Sequence, residues 1–184
     1  KTLPTWNLIY QGLLSNIPVM LLYVLESKGS SPGRQGFFMA VNANGEMEGS
    51  VGGGIMEHKF VEMAKERLKL GKLESGVKKQ VHDKSAANNQ SGMICSGEQT
   101  ILLYPLQEKD SNTIEKIIQS LEENKNGTLV LSPNSIHFSE VVPENDFEFI
   151  FHSEENWIYK EKTGHKNKLF IIGGGHCSVD FSKL

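Results

Sequence analysis

The sequence predicts an α/β protein: a mixed-sheet N-terminal domain with flanking helices, followed by the first strand and turn of a Rossmann-type domain that stops short. Three observations carry this. Segments with apolar residues at helical spacing alternate with short, continuous apolar runs of strand length. Two glycine-rich turns, at 29–36 and 49–54, punctuate the first half of the chain. Near its end, Lys168-Leu169-Phe170-Ile171-Ile172 runs into Gly173-Gly174-Gly175-His176, an apolar strand entering the Gly-x-Gly turn that opens a dinucleotide-binding crossover. The organisation expected is one domain over 1–165 and the incomplete start of a second over 166–184.

Trp6 to Leu14 has helical spacing, and Val19 to Leu25 reads as a strand buried on both faces. The loop 29–36 then leads to a strand at Phe37 to Val41. Asn44-Gly45, whose residues tolerate positive φ, turns the chain into a hairpin partner from Glu46 to Val51. That hairpin carries the two glycine loops toward one end, where they can line a single site. Ile55 to Leu70 is the strongest helix, with Met56, Phe60, Met63, Ala64 and Leu68 on one side, and Gly71 ends it. Asn112 with Glu115 gives a capping-box-like start to a second amphipathic helix through Leu121, closed at Asn126-Gly127. Strands are expected at Thr100–Leu106, Thr128–Leu131 and Phe147–Phe151, and a long polar loop between Asp83 and Gln99.

Composition narrows the function. The 184 residues can bury a proper core. With 22% charged residues and a net charge of −3, nothing advertises a nucleic-acid partner or a basic membrane-binding face. The longest apolar run, Pro18 to Leu25, is too short to span a bilayer. Two cysteines, Cys95 and Cys177, make no disulfide framework, and a cytoplasmic location is expected. The C-terminal residues read as a helix just begun, so the chain is expected to be a fragment. No Walker A sequence, nucleophile elbow or zinc-protease helix is present, and His58, His82 and His137 show no metal-ligand spacing with the cysteines.

The candidate site residues cluster in the glycine loops. Gly49-Ser50-Val51-Gly52-Gly53-Gly54 puts a flexible, donor-rich turn at a helix start, where unpaired amides and a partial positive charge favour anions; the alternative is an ordinary turn. Glu57, followed by Val61, Ala64 and Leu68 on its own face of the helix, points inward and either bonds to the glycine loop or contacts a ligand. In the other loop Arg34, with Ser30 and Ser31 upstream, has the planar fork suited to phosphate. Cys95, in Gly92-Met93-Ile94-Cys95-Ser96-Gly97, is either a small buried hydrophobe or a reactive thiolate able to bind a soft metal or carry sulfur. In the C-terminal turn Ser178 takes the third glycine position, and the acidic residue expected about 20 residues on lies beyond the sequence.

Three segments in order resemble one family. Gly29-Ser30-Ser31-Pro32 with Gly36, Met39 and Val41, then Gly49 to Gly54 with Glu57, then Cys95-Ser96-Gly97, look like the signature of the XdhC/CoxI accessory proteins. The closing Ile171 to His176 resembles the start of that family's Rossmann domain. The resemblance implies a chaperone that binds molybdenum cofactor, supports its sulfuration by a cysteine desulfurase and delivers it to a molybdenum hydroxylase such as xanthine dehydrogenase. It implies a homodimer with no catalytic residues of its own. The residues it designates for cofactor binding are Ser30, Ser31, Arg34, Ser50, Gly52, Gly53, Gly54, Glu57, Cys95, Gly97, Gly173 and Gly175, with Cys95 toward the molybdenum or its sulfur. Two departures stand out: Gly33 separates Pro32 from Arg34, and the family's Cys-Gly-Gly appears as Cys95-Ser96-Gly97. A rival reading is an oxidoreductase whose C-terminal unit binds NAD(P) or FAD.

Overall fold

A computed structural model describes residues 2–81 and 97–164. Among them the chain runs α1 (Leu3–Leu14), β1 (Val19–Gly29), β2 (Phe38–Asn42), β3 (Met47–Gly49), α2 (Gly54–Lys69), β4 (Gly76–Val81), β5 (Gly97–Leu106), a short 3-10 turn (Glu108–Asp110), α3 (Ser111–Glu122), β6 (Gly127–Ser132), β7 (Ser135–Ser139), β8 (Phe147–Ser153) and β9 (Asn156–Thr163). The strands form a five-stranded sheet, ordered β3-β2-β1-β5-β4, and a four-stranded sheet, ordered β7-β6-β9-β8. Every pair is antiparallel.

β1 is buried on both faces, as its unbroken apolar run requires. Met20, Leu22 and Val24 face α2, which lays Met56, Phe60, Val61 and Ala64 over the sheet. Val19, Leu21, Tyr23 and Leu25 face the other way, against Trp6 and Ile9 of α1, Ile114 and Ile117 of α3, and Leu129, Leu131, Trp157 and Tyr159 of the second sheet. The first sheet is therefore the middle layer. Each such aliphatic side chain contributes about 1.5–3 kcal/mol by burial, which is what holds two sheets and three helices together.

The helices lie where their periodicity predicts. α2 ends as expected: Gly71 takes φ 63°, and Lys72 N–H reaches back to the carbonyl of Arg67 at 3.0 Å, closing the last turn. The start of α3 differs from the expectation. The helix begins at Ser111, ahead of Asn112, and the reciprocal cap sits one turn upstream, where the Gln107 amide donates to Asp110 Oδ2 at 2.9 Å. Three strands escape the sequence reading. β4 and β7 are edge strands with polar outward positions, and β9 alternates Trp157, Tyr159 and Glu161 with Ile158, Lys160 and Lys162, a pattern masked by its charge. Gly97 to Gln99, expected in a polar loop, extend β5; the rest of that loop, 82–96, and the C-terminal turn at 173–176 lie outside the described residues.

Candidate functional site

The two glycine loops meet at one end of the first sheet, on the side that carries α2. Gly33 packs directly on the second loop: a Cβ there would sit 2.1 Å from the Val51 carbonyl oxygen, so only glycine permits the approach. Gly52 answers it from the other side, with φ 130° and a Cβ direction ending 2.5 Å from the Gly33 nitrogen. Gln99, wholly buried on β5, spans the junction and donates its Nε2 to the carbonyls of Gly33 at 2.9 Å and Val51 at 3.3 Å. Ser31, also buried, donates its Oγ to the Gly33 carbonyl at 3.2 Å. Gly97 lies opposite Gly29 in the β1–β5 ladder, tight against the backbone of Ser30 and Ser31. Segments 29–34, 49–57 and 97–99, far apart in sequence, thus converge.

Glu57 turns back onto the glycine loop instead of entering the apolar core. Its Oε2 accepts from Ser50 Oγ at 2.6 Å and from the amides of Val51 and Gly53, each at 2.9 Å. The Gly52 amide is taken by Ser50 Oγ at 3.1 Å. The bonding alternative for Glu57 therefore holds in this structure. Burial works against its charge, yet the Ser50 hydroxyl and the amides of Gly53, Val51 and Gly52 outweigh it and hold the carboxyl below its ordinary value. A depressed carboxyl pKa contributes stability that is present above the unfolded-state value and lost as pH falls through the folded one. Glu57→Ala is expected to cost about 1–2 kcal/mol in urea unfolding at neutral pH, the worth of charge-assisted hydrogen bonds discounted for a partly exposed group. The deficit should shrink in acid.

This internal carboxylate changes where an anion can bind. The amides of 51–53 are spent on Glu57 and Ser50, so the open donors lie one step further on. α2 has Gly53 as its N-cap and no side-chain cap, leaving the first-turn amides of Gly54, Ile55 and Met56 without an intrahelical acceptor at the positive end of the helix. Gly54, Ile55, Ser30 and Arg34 are solvent-exposed in the same region. The Arg34 side chain makes no hydrogen bond or ion pair with the described residues. Cys95, Gly173 and Gly175 lie outside the described residues, and among those described no cluster of His, Cys, Asp and Glu could hold a metal.

Gln99 is the site residue that the sequence reading misses. It stands between a polar stretch and an apolar strand, and the only signal is its place one residue ahead of the run beginning at Thr100.

Residues 13–76, from the end of α1 to the start of β4, match the XdhC and CoxI family, the family that the motifs resemble. That segment contains both glycine loops and Glu57. Among solved structures the chain is similar to the crystal structure of a xanthine dehydrogenase from Bacillus halodurans, at 16% identity and a TM-score of 0.59, over 87% of this chain and 53% of that one. At that identity the likeness bears on the fold, and the chain spans about half the length of that protein. No curated protein matches the chain. No helix among the described residues is long and apolar enough to cross a membrane.

Proposed function

We propose that the chain belongs to an accessory protein that binds molybdenum cofactor, supports its sulfuration together with a cysteine desulfurase, and passes it to a molybdenum hydroxylase such as xanthine dehydrogenase. It acts as a homodimer and turns over no substrate itself. The observation that carries this reading is the convergence of both glycine loops at the uncapped start of α2, within the segment that matches the XdhC and CoxI family. The residues fit the phosphate end of such a cofactor: the first-turn amides of the exposed Gly54 and Ile55, an exposed guanidinium and the Ser30 hydroxyl offer donors without a buried charge to expel. Ser31, Gly33, Gly52 and Gln99 hold the loops in register, and Glu57 keeps 51–53 folded so that 54 and 55 stay available. Gly97 anchors the start of β5 beside the first loop, two residues after Cys95, which is the group assigned to the molybdenum or its sulfur. Bound, the cofactor supplies the oxygen-transfer chemistry of the enzyme that receives it.

Titrating the purified chain with molybdenum cofactor tests the reading. Arg34→Ala is expected to weaken binding about tenfold, the equivalent of one charge-assisted hydrogen bond. Cys95→Ala is expected to retain the cofactor less well and to abolish its sulfuration. No binding by the unaltered chain would overturn the proposal, and unchanged retention and sulfuration in Cys95→Ala would remove that thiol from it.

A further inference from the structure

Of the four sheet edges among the described residues, β8 is the one left open. β3 has only three residues, β4 carries Lys78 and Lys79, and β7 presents Ser135, His137 and Ser139 on its solvent side, all devices that discourage strand addition. β8 reads Phe147-Glu148-Phe149-Ile150-Phe151-His152-Ser153, has neither lysine nor proline, and exposes Ile150 at 42% and Phe151 at 48%.

The backbone tells which groups are free. Lys162 N–H donates to the Asp146 carbonyl, so 146 and 162 form a hydrogen-bonded pair, and in the same register Glu148 and Ile150 direct their amides and carbonyls to β9. Phe149 and Phe151 direct theirs outward. The sequence around Ile150 is self-complementary. A second β8 laid antiparallel about a two-fold axis at Ile150 pairs Phe149 with Phe151, each with outward backbone groups, and sets Ile150 against Ile150. It also brings His152, which sits at the shift of register after Phe151, toward the Glu148 carboxylate of the copy, itself ion-paired with Lys160 at 2.7 Å. Shifting the axis to Glu148 would oppose two carboxylates, and shifting it to Phe149 would leave Glu148 facing Ile150.

We infer that β8 joins two copies of this chain edge to edge, making one continuous eight-stranded sheet with its two-fold axis at Ile150. Aromatic rings then cover one another on the inner face, next to the cleft of about 390 Å³ lined by Glu26, Lys28, Val77, Lys79, Phe149 and Phe151. The association names the surface for the homodimer proposed above, and its test needs no cofactor, so either reading can fail without the other.

At the axis Ile150 forms a non-hydrogen-bonded pair with its copy, with Cα atoms about 4.5 Å apart, within the span of a disulfide. In a Cys95→Ser, Cys177→Ser background, Ile150→Cys is expected to oxidise to a covalent dimer. Glu148→Cys, four residues from its copy and about 13 Å away, should not. Ile150→Lys should shift the chain from dimer to monomer in sedimentation while leaving its circular dichroism intact. His152→Glu, which sets a second carboxylate toward Glu148 of the copy, should weaken the dimer. A monomeric parent chain, a dimer indifferent to Ile150→Lys, or cross-linking no better at 150 than at 148 would overturn the inference.

Discussion

Glu161→Ala is expected to destabilise the protein by about 3–5 kcal/mol, because it strands two buried phenols in a site built around one carboxylate. Glu161, on β9, is itself buried. Its Oε2 accepts from Tyr23 of β1 and from Tyr159 at 2.8 Å, so one carboxylate oxygen ties the first sheet to the second. Tyr23 and Tyr159 meet edge to face with ring centroids 5.5 Å apart, which keeps both hydroxyls aimed at the same oxygen. Glu161→Gln keeps an acceptor and the volume and should lose less. Tyr23→Phe leaves Glu161 its other donor and should cost about 1 kcal/mol. Urea unfolding of the two single variants and the double variant Tyr23→Phe/Tyr159→Phe would apportion the coupling.

The same cluster sets an alkaline limit. Burial first, then the Glu161 charge, raises both phenol pKa values above the ordinary one. In the unfolded chain the phenols ionise near about 10, so above that pH the unfolded state loses protons that the folded state retains. The stabilisation is full below about pH 10 and declines as pH rises beyond it. In Tyr23→Phe/Tyr159→Phe that decline should be much smaller.

Gly33→Ala is expected to have the largest effect on the candidate site. Its Cβ would fall 2.1 Å from the Val51 carbonyl oxygen and 2.3 Å from Gln99 Nε2. Backbone cannot give way as a side chain can, so the two loops must separate. The overpacking costs about 2–3 kcal/mol, and molybdenum cofactor retention should fall out of proportion to that loss. Gln99→Leu acts from the opposite direction: it removes the donor that Gly33 and Val51 share and leaves buried carbonyls short of a partner, at about 1–3 kcal/mol. If Gly33→Ala melts lower yet holds cofactor as tightly as the parent, the loop junction is a structural brace with no part in binding.

Much of the first half of the chain was legible in the sequence. Val19 to Leu25 is so uniformly apolar that only a strand covered on both sides accommodates it, and the periodicity of Ile55 to Leu70 leaves one face for the sheet. Asn44-Gly45 makes the hairpin, and the hairpin brings the glycine loops to one end, as the order of elements alone implies. The second sheet was less legible. β9 hides its inward Trp157, Tyr159 and Glu161 among lysines, and Glu161 reads as one more surface charge until Tyr23, 138 residues away, donates to it.

The sequence by itself determined the helices, the doubly buried strand β1 and the hairpin that brings the glycine loops to one end, because local periodicity and turn chemistry depend on near neighbours. Only the tertiary structure decided how the donors are spent. The spacing puts Glu57 at the start of a helix beside three glycines, but a carboxylate in that position can face a core, a ligand or its own loop. The structure turns it to the loop, where three hydrogen bonds offset its partial burial. That choice moves the open amides from 51–53 to 54 and 55. Gln99 has the same lesson: its value lies in two carbonyls brought within reach from 66 and 48 residues away, a proximity created by packing rather than by any pattern near residue 99.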